Sequence, residues 1–421
     1  MKSTAAPLHI HSAFTRRGLL KTAAALTIAS SEAIPAAAQD NTAAPSSGRI
    51  LAYVGTYTGA IGNGGNGQGI HLFALNPANG NLLFIKVVSQ ITSPSWISFD
   101  PSGKHLYAVN EISNFNGTTA GSVSSFAVNT SNGDLVFLNV VSTEGGGPAY
   151  LSVDPSGKYV FAANYGGGSI AVLPILSDGS LGSATDFHQD VDSVGPTTPT
   201  NAPVGSFAIS GHDAPHAHYI HADPSDKFVL QTDLGQDRIY IYNLDLQAGK
   251  LTPASYASYV SLPPGDGPRH LAFHPNGKWV YSIQEEASTL VFFLFDPTIG
   301  SLLPQQQIST LPSRFVGTNF CSEVLLSPDG AYLYAANRLH DSIGVFSIDS
   351  TGGLTHIGQT STMGDYPRNI NIDPTGNFLY SCNQRSDAVT CFRIDKSTGL
   401  LKFTGQYTAV GSPASIIFRT L

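Results

Sequence analysis

Asp154-Pro-Ser-Gly-Lys-Tyr-Val-Phe-Ala-Ala-Asn164 is a tight turn that runs straight into a β-rich strand, and the chain repeats it. Five further copies start at Asp100, Asp223, His274, Ser327 and Asp373 and end at Asn110, Asp233, Gln284, Asn337 and Asn383. Proline and glycine make the turn, and the aromatic and β-branched residues behind it favour extended backbone. Copies spaced roughly 46 to 69 residues apart mark one supersecondary unit used again and again, at the period of a propeller blade.

A second phrase counts the blades. A turn glycine with leucine close behind stands at Gly80, Gly133, Gly179, Gly249, Gly300, Gly352 and Gly399, seven turns against six of the first kind. The missing turn is explained if one blade is shared between the chain ends, its first strand from Pro413 to Phe418 and its second from Ile50 to Tyr57. Closure of this kind pairs strand edges that would otherwise stay open. The expected fold is all-β, a seven-bladed β-propeller closed by a blade shared between the N- and C-termini.

Composition agrees. Charged residues make up 12% of the chain, about half the usual ~25%, while 43 Gly and 26 Pro supply the turns of many short strands. A net charge of −8 argues against a nucleic-acid surface, which selects for basic stripes. Beyond the N-terminal segment, no apolar run is long enough to span a bilayer.

Residues 1–38 are expected to be an export signal, 39–48 a linker, and 49–421 a single propeller domain. Arg16-Arg17 precedes an apolar stretch from Thr22 to Ile34, and Pro35-Ala-Ala-Ala38 offers a cleavage site before Gln39. The paired arginines resemble a twin-arginine signal, which places the mature protein in the periplasm or outside the cell. Cys321, Cys382 and Cys391 show no zinc spacing. Cys382 and Cys391 are placed for a disulfide on neighbouring strands or, on the plainer reading, are buried thiols.

Antiparallel order within a blade puts the start of the first strand and the end of the second on the same rim, opposite the Pro/Gly turn. That rim gathers His216, His218, Arg269, His270, Glu323 and Arg368 ahead of first strands. After second strands it gathers Asn110-Glu111, Asn164-Tyr165, Asp233, Glu285, Asn337-Arg338 and Gln384-Arg385. In a chain so poor in charge, this crowding points to a pocket that binds an anion and activates water. Arg269 and Glu285 sit at the two ends of one hairpin, in reach of a salt bridge.

His216, His218 and His221 superficially resemble a metal-ligand cluster, but the rigid spacing of a metalloprotease motif is absent. No metal and no cofactor is expected. His218 is read as a general acid or base or a substrate hydrogen-bonding group, with a purely structural role as its alternative. The turn aspartates, Asp154 among them, lie on the opposite rim, where bonding to their own turn accounts for them. Gly62 to Gly69 and Gly145-Gly-Gly147 precede no helix and so read as rim loops, not phosphate cradles. There is no Gly-x-Ser-x-Gly nucleophile elbow.

Tyr53-Val-Gly-Thr-Tyr57, Ala163-Asn-Tyr-Gly-Gly-Gly-Ser-Ile170, Pro215-His-Ala-His218, Asp233-Leu-Gly235, Gly267-Pro-Arg-His270, Ala336-Asn-Arg338 and Asp341-Ser-Ile343 together resemble the seven-bladed propeller lactonases. This is the bacterial 6-phosphogluconolactonase type, related to a fungal carboxy-cis,cis-muconate lactonising enzyme. The resemblance implies a monomeric lactonase acting on a small-molecule lactone at the channel mouth, with His218, Arg269, Glu285 and Arg338 as functional positions. His216, His270, Asp233, Glu111, Glu323 and Arg368 are the expected substrate-binding residues around them. On this reading Glu285 or His218 takes the proton from water, Arg269 steadies the oxyanion, and Arg338 holds an anionic group of the substrate. A muconate-type cycloisomerase and a non-catalytic exported scaffold are the competing readings. Export also sets the chain apart, because a phosphorylated lactone of central metabolism is cytosolic.

Overall fold

In the turn that opens at Asp154, the carboxylate accepts the backbone N–H of Ser156 at 3.0 Å and of Tyr159 at 2.5 Å. Asp223 and Asp373 do the same for Phe228 and Phe378, at 2.8 and 2.7 Å. Each turn therefore satisfies its own backbone and delivers the chain into a strand in fixed register.

The computed structural model describes residues 48–59, 64–207 and 211–421. The expected signal segment and nearly all of the linker lie outside the described residues. The strands form seven antiparallel sheets arranged as blades, plus one small hairpin, Thr58–Gly59 with Gly65–Asn66. Numbered along the chain, the inner strands of blades 2 to 7 are Ile97–Phe99, Pro148–Val153, Ala217–Ala222, Pro268–Phe273, Cys321–Leu326 and Pro367–Ile372. Blade 4 splits its outer edge between Lys250–Pro253 and Tyr259–Ser261.

Blade 1 takes its inner strand from the other end of the chain. Pro413–Thr420 pairs with Ile50–Thr56 from Ile50↔Thr420 to Thr56↔Pro413, followed by Ile70–Leu75 and Leu82–Ser89. Two backbone bonds extend the seam, Leu421 N–H to Arg49 O at 2.9 Å and Gly48 N–H to Leu421 O at 3.1 Å.

The two repeated phrases meet between blades. The tyrosine in the middle of a second strand donates to the carbonyl of the turn glycine in the next blade: Tyr53 to Gly133, Tyr107 to Gly179, Tyr281 to Gly352 and Tyr334 to Gly399, at 2.7 to 3.0 Å. Tyr380 to Gly80, at 2.7 Å, joins blade 7 to blade 1, whereas blades 3 and 4 carry Phe161 and Leu230 at the tyrosine's place. At Gly133 φ is 83°, and a Cβ there would stand 2.2 Å from Leu51 Cδ1, so only glycine brings the carbonyl this close.

Between the blades lie apolar clusters such as that of Phe73, Phe378, Tyr380 and Ile416. Cys321, Cys382 and Cys391 are all buried and unbridged, and burial raises each thiol above its ordinary pKa. Among the described residues no helix is long and apolar enough to cross a membrane.

Candidate active site

Each inner strand outside blade 2 breaks its pairing near the rim. The register skips Ala149, His218, Arg269, Arg368 and Ala414, and in blade 6 both Ser322 and Glu323. Such a bulge twists the strand and turns the skipped side chain out of the regular alternation. Four candidate residues, His218, Arg269, Glu323 and Arg368, therefore owe their direction to a bulge.

The second strands follow a different rule. Their last residues, Asn110, Asn164, Asp233, Gln284, Asn337 and Asn383, are all buried and bonded within the rim. Asn164 and Asn337, for example, donate to the carbonyls of Thr143 and Thr310. The next residue along reaches the cavity in five blades: Glu111, Tyr165, Glu285, Arg338 and Gln384. Together with His218, Tyr366 and Arg368 they line a cavity of about 660 Å³ at the channel mouth.

Glu285 is the hub. Its Oε2 lies 3.0 Å from Arg269 Nε and its Oε1 2.5 Å from Arg338 Nη2. Burial alone would raise its pKa, but Arg338 and Arg269 outweigh burial and hold the carboxyl below its ordinary value. Arg338 also donates to the Cys321 carbonyl at 3.1 Å and packs over Tyr366 at 5.1 Å. Burial works against its charge as well, yet Glu285 raises it above the usual arginine range.

Arg368 lies over the Tyr57 ring at 5.0 Å and 3.8 Å from Glu111, whose carboxylate accepts from Tyr57 Oη at 2.7 Å and from Ser95. Arg385 stacks on the outer side of Tyr366 at 3.7 Å. His218 is held neutral, first by burial and then by the Arg269 charge.

Not every candidate lines the cavity. Arg269 is 2% exposed and does not reach the cavity wall, because the bulge turns it beneath Glu285, where it meets the Ser322 carbonyl and His270. Its guanidinium contacts Glu285 from outside the cavity lining. Asp233 is also away from the cavity, since it ends a second strand; it accepts the N–H groups of His216 and Gln236 at 3.0 and 2.9 Å. His216 stacks on Tyr165 at 4.3 Å and bonds Asp213 and the Tyr165 carbonyl, a pin and not a wall residue. His270 and Glu323 stand behind His218.

The three histidines do not converge. The bulge at His218 turns it away from His216, and His221 faces a second cavity of about 420 Å³ lower in the channel. Among the described residues no group of three His, Cys, Asp or Glu side chains is set to hold a metal.

Tyr165 and Gln384, placed on the rim by the sequence but given no role there, line the cavity, and so does Tyr366, which the sequence did not mark. The signal for Tyr165 and Gln384 is present in the repeat: each stands one place beyond the second strand, as Glu111 and Glu285 do. Asn66, which bonds Asp387 at 2.7 Å at the cavity edge, comes from the small hairpin, which carries no such mark. Ahead of the blade 4 inner strand, His212 lies 3.0 Å from Asp237 Oδ1. Burial opposes the charge on His212, but Asp237 and Glu286 push its pKa up to about 10.

A propeller with a buried ion-paired carboxylate, a neutral histidine and several arginines around one channel mouth is built for acid–base work on a small anionic or polar substrate. The model of the family "Lactonase, 7-bladed beta-propeller" matches residues 51–418, and the chain belongs to that family. It is a lactone-hydrolysing enzyme.

Its relatives include a 6-phosphogluconolactonase of Bacillus subtilis, 31% identical over 77% of this chain and 85% of that protein. One from Formosa agariphila is 30% identical over 73% and 83%. Among solved structures, the Pseudomonas aeruginosa periplasmic gluconolactonase is 30% identical, with a TM-score of 0.76, covering 89% of this chain and 99% of that one.

Proposed function

We propose that the protein hydrolyses a sugar-derived lactone in the rim cavity, with His218 as the general base. One observation carries the choice of base: both Glu285 oxygens are occupied by guanidiniums, whereas His218 lines the cavity as a neutral imidazole. In this reaction His218 Nε2 takes a proton as water adds to the lactone carbonyl. The developing oxyanion is met by the guanidiniums of Arg338 and Arg368. Collapse breaks the ring C–O bond, and His218 returns its proton to the leaving oxygen, giving the hydroxy acid. Glu285 keeps Arg338 in place, and Arg269 keeps Glu285 ionised.

All the residues used come from one ring, so the reading needs a single chain. The names of the relatives support a sugar lactone. Arg385, exposed beside Tyr366, suits an anionic group at the far end of the substrate. Export by the twin-arginine route is part of the same reading, supported by Arg16-Arg17 and by the periplasmic relative, and a mature N-terminus near Gln39 is its mark.

The test is turnover of gluconolactone and its 6-phosphate by the mature protein and two variants. His218→Ala is expected to lower kcat by about 10² or more. Glu285→Gln is expected to lose about 3–5 kcal/mol of stability, because it leaves two buried guanidiniums without a countercharge. If His218→Ala keeps full turnover while folded Glu285→Gln loses it, Glu285 is the base. Product analysis separates hydrolysis from cycloisomerisation, since only hydrolysis consumes water.

A further inference from the structure

Behind His218, on the side away from the cavity, stands a row of polar side chains that the reaction above does not use. His218 Nδ1 lies 3.2 Å from His270 Nε2, and His270 Nδ1 lies 2.9 Å from Glu323 Oε1. Glu323 also accepts the Val324 N–H at Oε1 (3.2 Å) and Asn369 Nδ2 at Oε2 (2.8 Å). The Asn369 amide has only one sensible orientation, because its oxygen takes the Ile416 N–H at 3.2 Å. His218, His270, Glu323 and Asn369 are 4, 1, 6 and 4% exposed. Trp96, Tyr150 and Tyr219 pack around the His270 ring with centroids 5.0 to 5.8 Å away, which fixes its plane, and with Glu323 and Asn369 they border the second cavity.

One distribution of protons satisfies the whole row. With Val324 and Asn369 donating into it, Glu323 acts as an acceptor, so His270 donates through Nδ1. A neutral imidazole that donates at one nitrogen accepts at the other. His270 Nε2 therefore receives protons, from Arg269 Nη1 at 3.3 Å and from His218 Nδ1. The Nε2 of His218 is left as a bare lone pair on a ring that lines the cavity. Burial favours the neutral form of both rings: with Arg269 adding to it, burial lowers His218 well below its ordinary pKa, and burial brings His270 down to about 4 against the pull of Glu323.

We propose that Glu323 and His270 are positioning residues that hold His218 in its Nδ1–H tautomer, keeping the Nε2 lone pair directed at the attacking water. The role rests on the reading of His218 as the base. The bulges at His218 and Glu323 are what bring the row into line, since regular alternation would send those side chains elsewhere. The row is a carboxylate–histidine–histidine series in which the carboxylate orients one ring and that ring orients the next.

Long-range 1H–15N correlation spectra of the 15N-histidine-labelled protein read the tautomers directly, with no variant needed. The expected spectrum shows His218 and His270 both protonated at Nδ1 and bare at Nε2. Glu323→Gln preserves shape but introduces an NH2 that faces donors in either orientation. It is expected to disturb both tautomers and to lower kcat by about 10² or more with KM little changed. A His218 protonated at Nε2 in the wild-type protein would overturn the proposal, and so would a Glu323→Gln protein with wild-type kcat or with a loss confined to KM. The two readings fail differently. Full turnover by His218→Ala removes the base and this role together, whereas a wrong tautomer beside an inactive His218→Ala protein removes this role alone.

Discussion

Buried carboxylates meet opposite fates on this rim, and their neighbours decide which. Glu285 stays ionised because two guanidiniums touch it. Asp190 has no such partner: it is hydrogen-bonded to Asp233, another acid, and accepts from Gln231 Nε2 at 2.5 Å. Burial raises both aspartates, and the pair holds on to a proton that the unfolded chain releases. A carboxyl whose folded pKa is raised favours the folded state most below its unfolded pKa, and that benefit is lost as pH rises. Stability should therefore fall from about the ordinary aspartate value of 3.8 upward through neutrality on account of this pair. Asp190→Asn keeps the hydrogen bonds and removes the proton. It is expected to match the wild type near pH ~4 and to unfold at higher urea than the wild type near pH ~8. A wild-type protein more stable than Asp190→Asn at the alkaline end would mean that the pair is ionised. Asp233 was legible as a rim residue but not as half of a pair, because nothing in the repeat marks Asp190 as its partner.

Strands and turns were far more legible than the directions of side chains. A Pro/Gly turn and an aromatic strand announce themselves locally, and the glycine turns supplied the count of seven. What joins the two phrases, a tyrosine reaching the next blade's glycine carbonyl, needed the ring closed before it could be seen. The bulges were hidden for a related reason. A skipped residue depends on how two strands settle against each other, so His216 and His218 read as sharing one face and Arg269 read as facing the mouth. The tyrosine bonds predict a consequence at this scale. Tyr107→Phe leaves the Gly179 carbonyl buried without its donor, which is expected to cost about 1–3 kcal/mol. The hydroxyl is far from the channel mouth in the sheet order, so kcat and KM should stay at wild-type values. A urea midpoint unchanged from wild type would show that the bond contributes nothing net to blade contact.

At the scale of the whole ring, the clasp links stability to the site. Pro413–Thr420 is the inner strand of blade 1, and its backbone also serves blade 7: Ile416 O accepts from Asn371 Nδ2 at 2.8 Å, and Ile416 N–H donates to Asn369 Oδ1. Asn369 in turn donates to Glu323. Removing residues 413–421 would open the ring, expose the edge of Ile50–Thr56 along its full length and release Asn369 from one of its two bonds. The truncated protein is expected to lose cooperative unfolding and turnover together, and to aggregate through the bare edge. A circular permutant offers the control, since Gly48 N–H and Leu421 O are already bonded at 3.1 Å and a short Gly-Ser link can join these ends. Opened instead at the exposed turn after Asn76, it keeps every strand and should melt near the wild type with its activity intact. Were the truncated chain to melt like the intact one, the C-terminal strand would not be holding the ring closed. A collapsed permutant beside it would show that chain order, and not the pairing of Ile50–Thr56 with Pro413–Thr420, carries the stability.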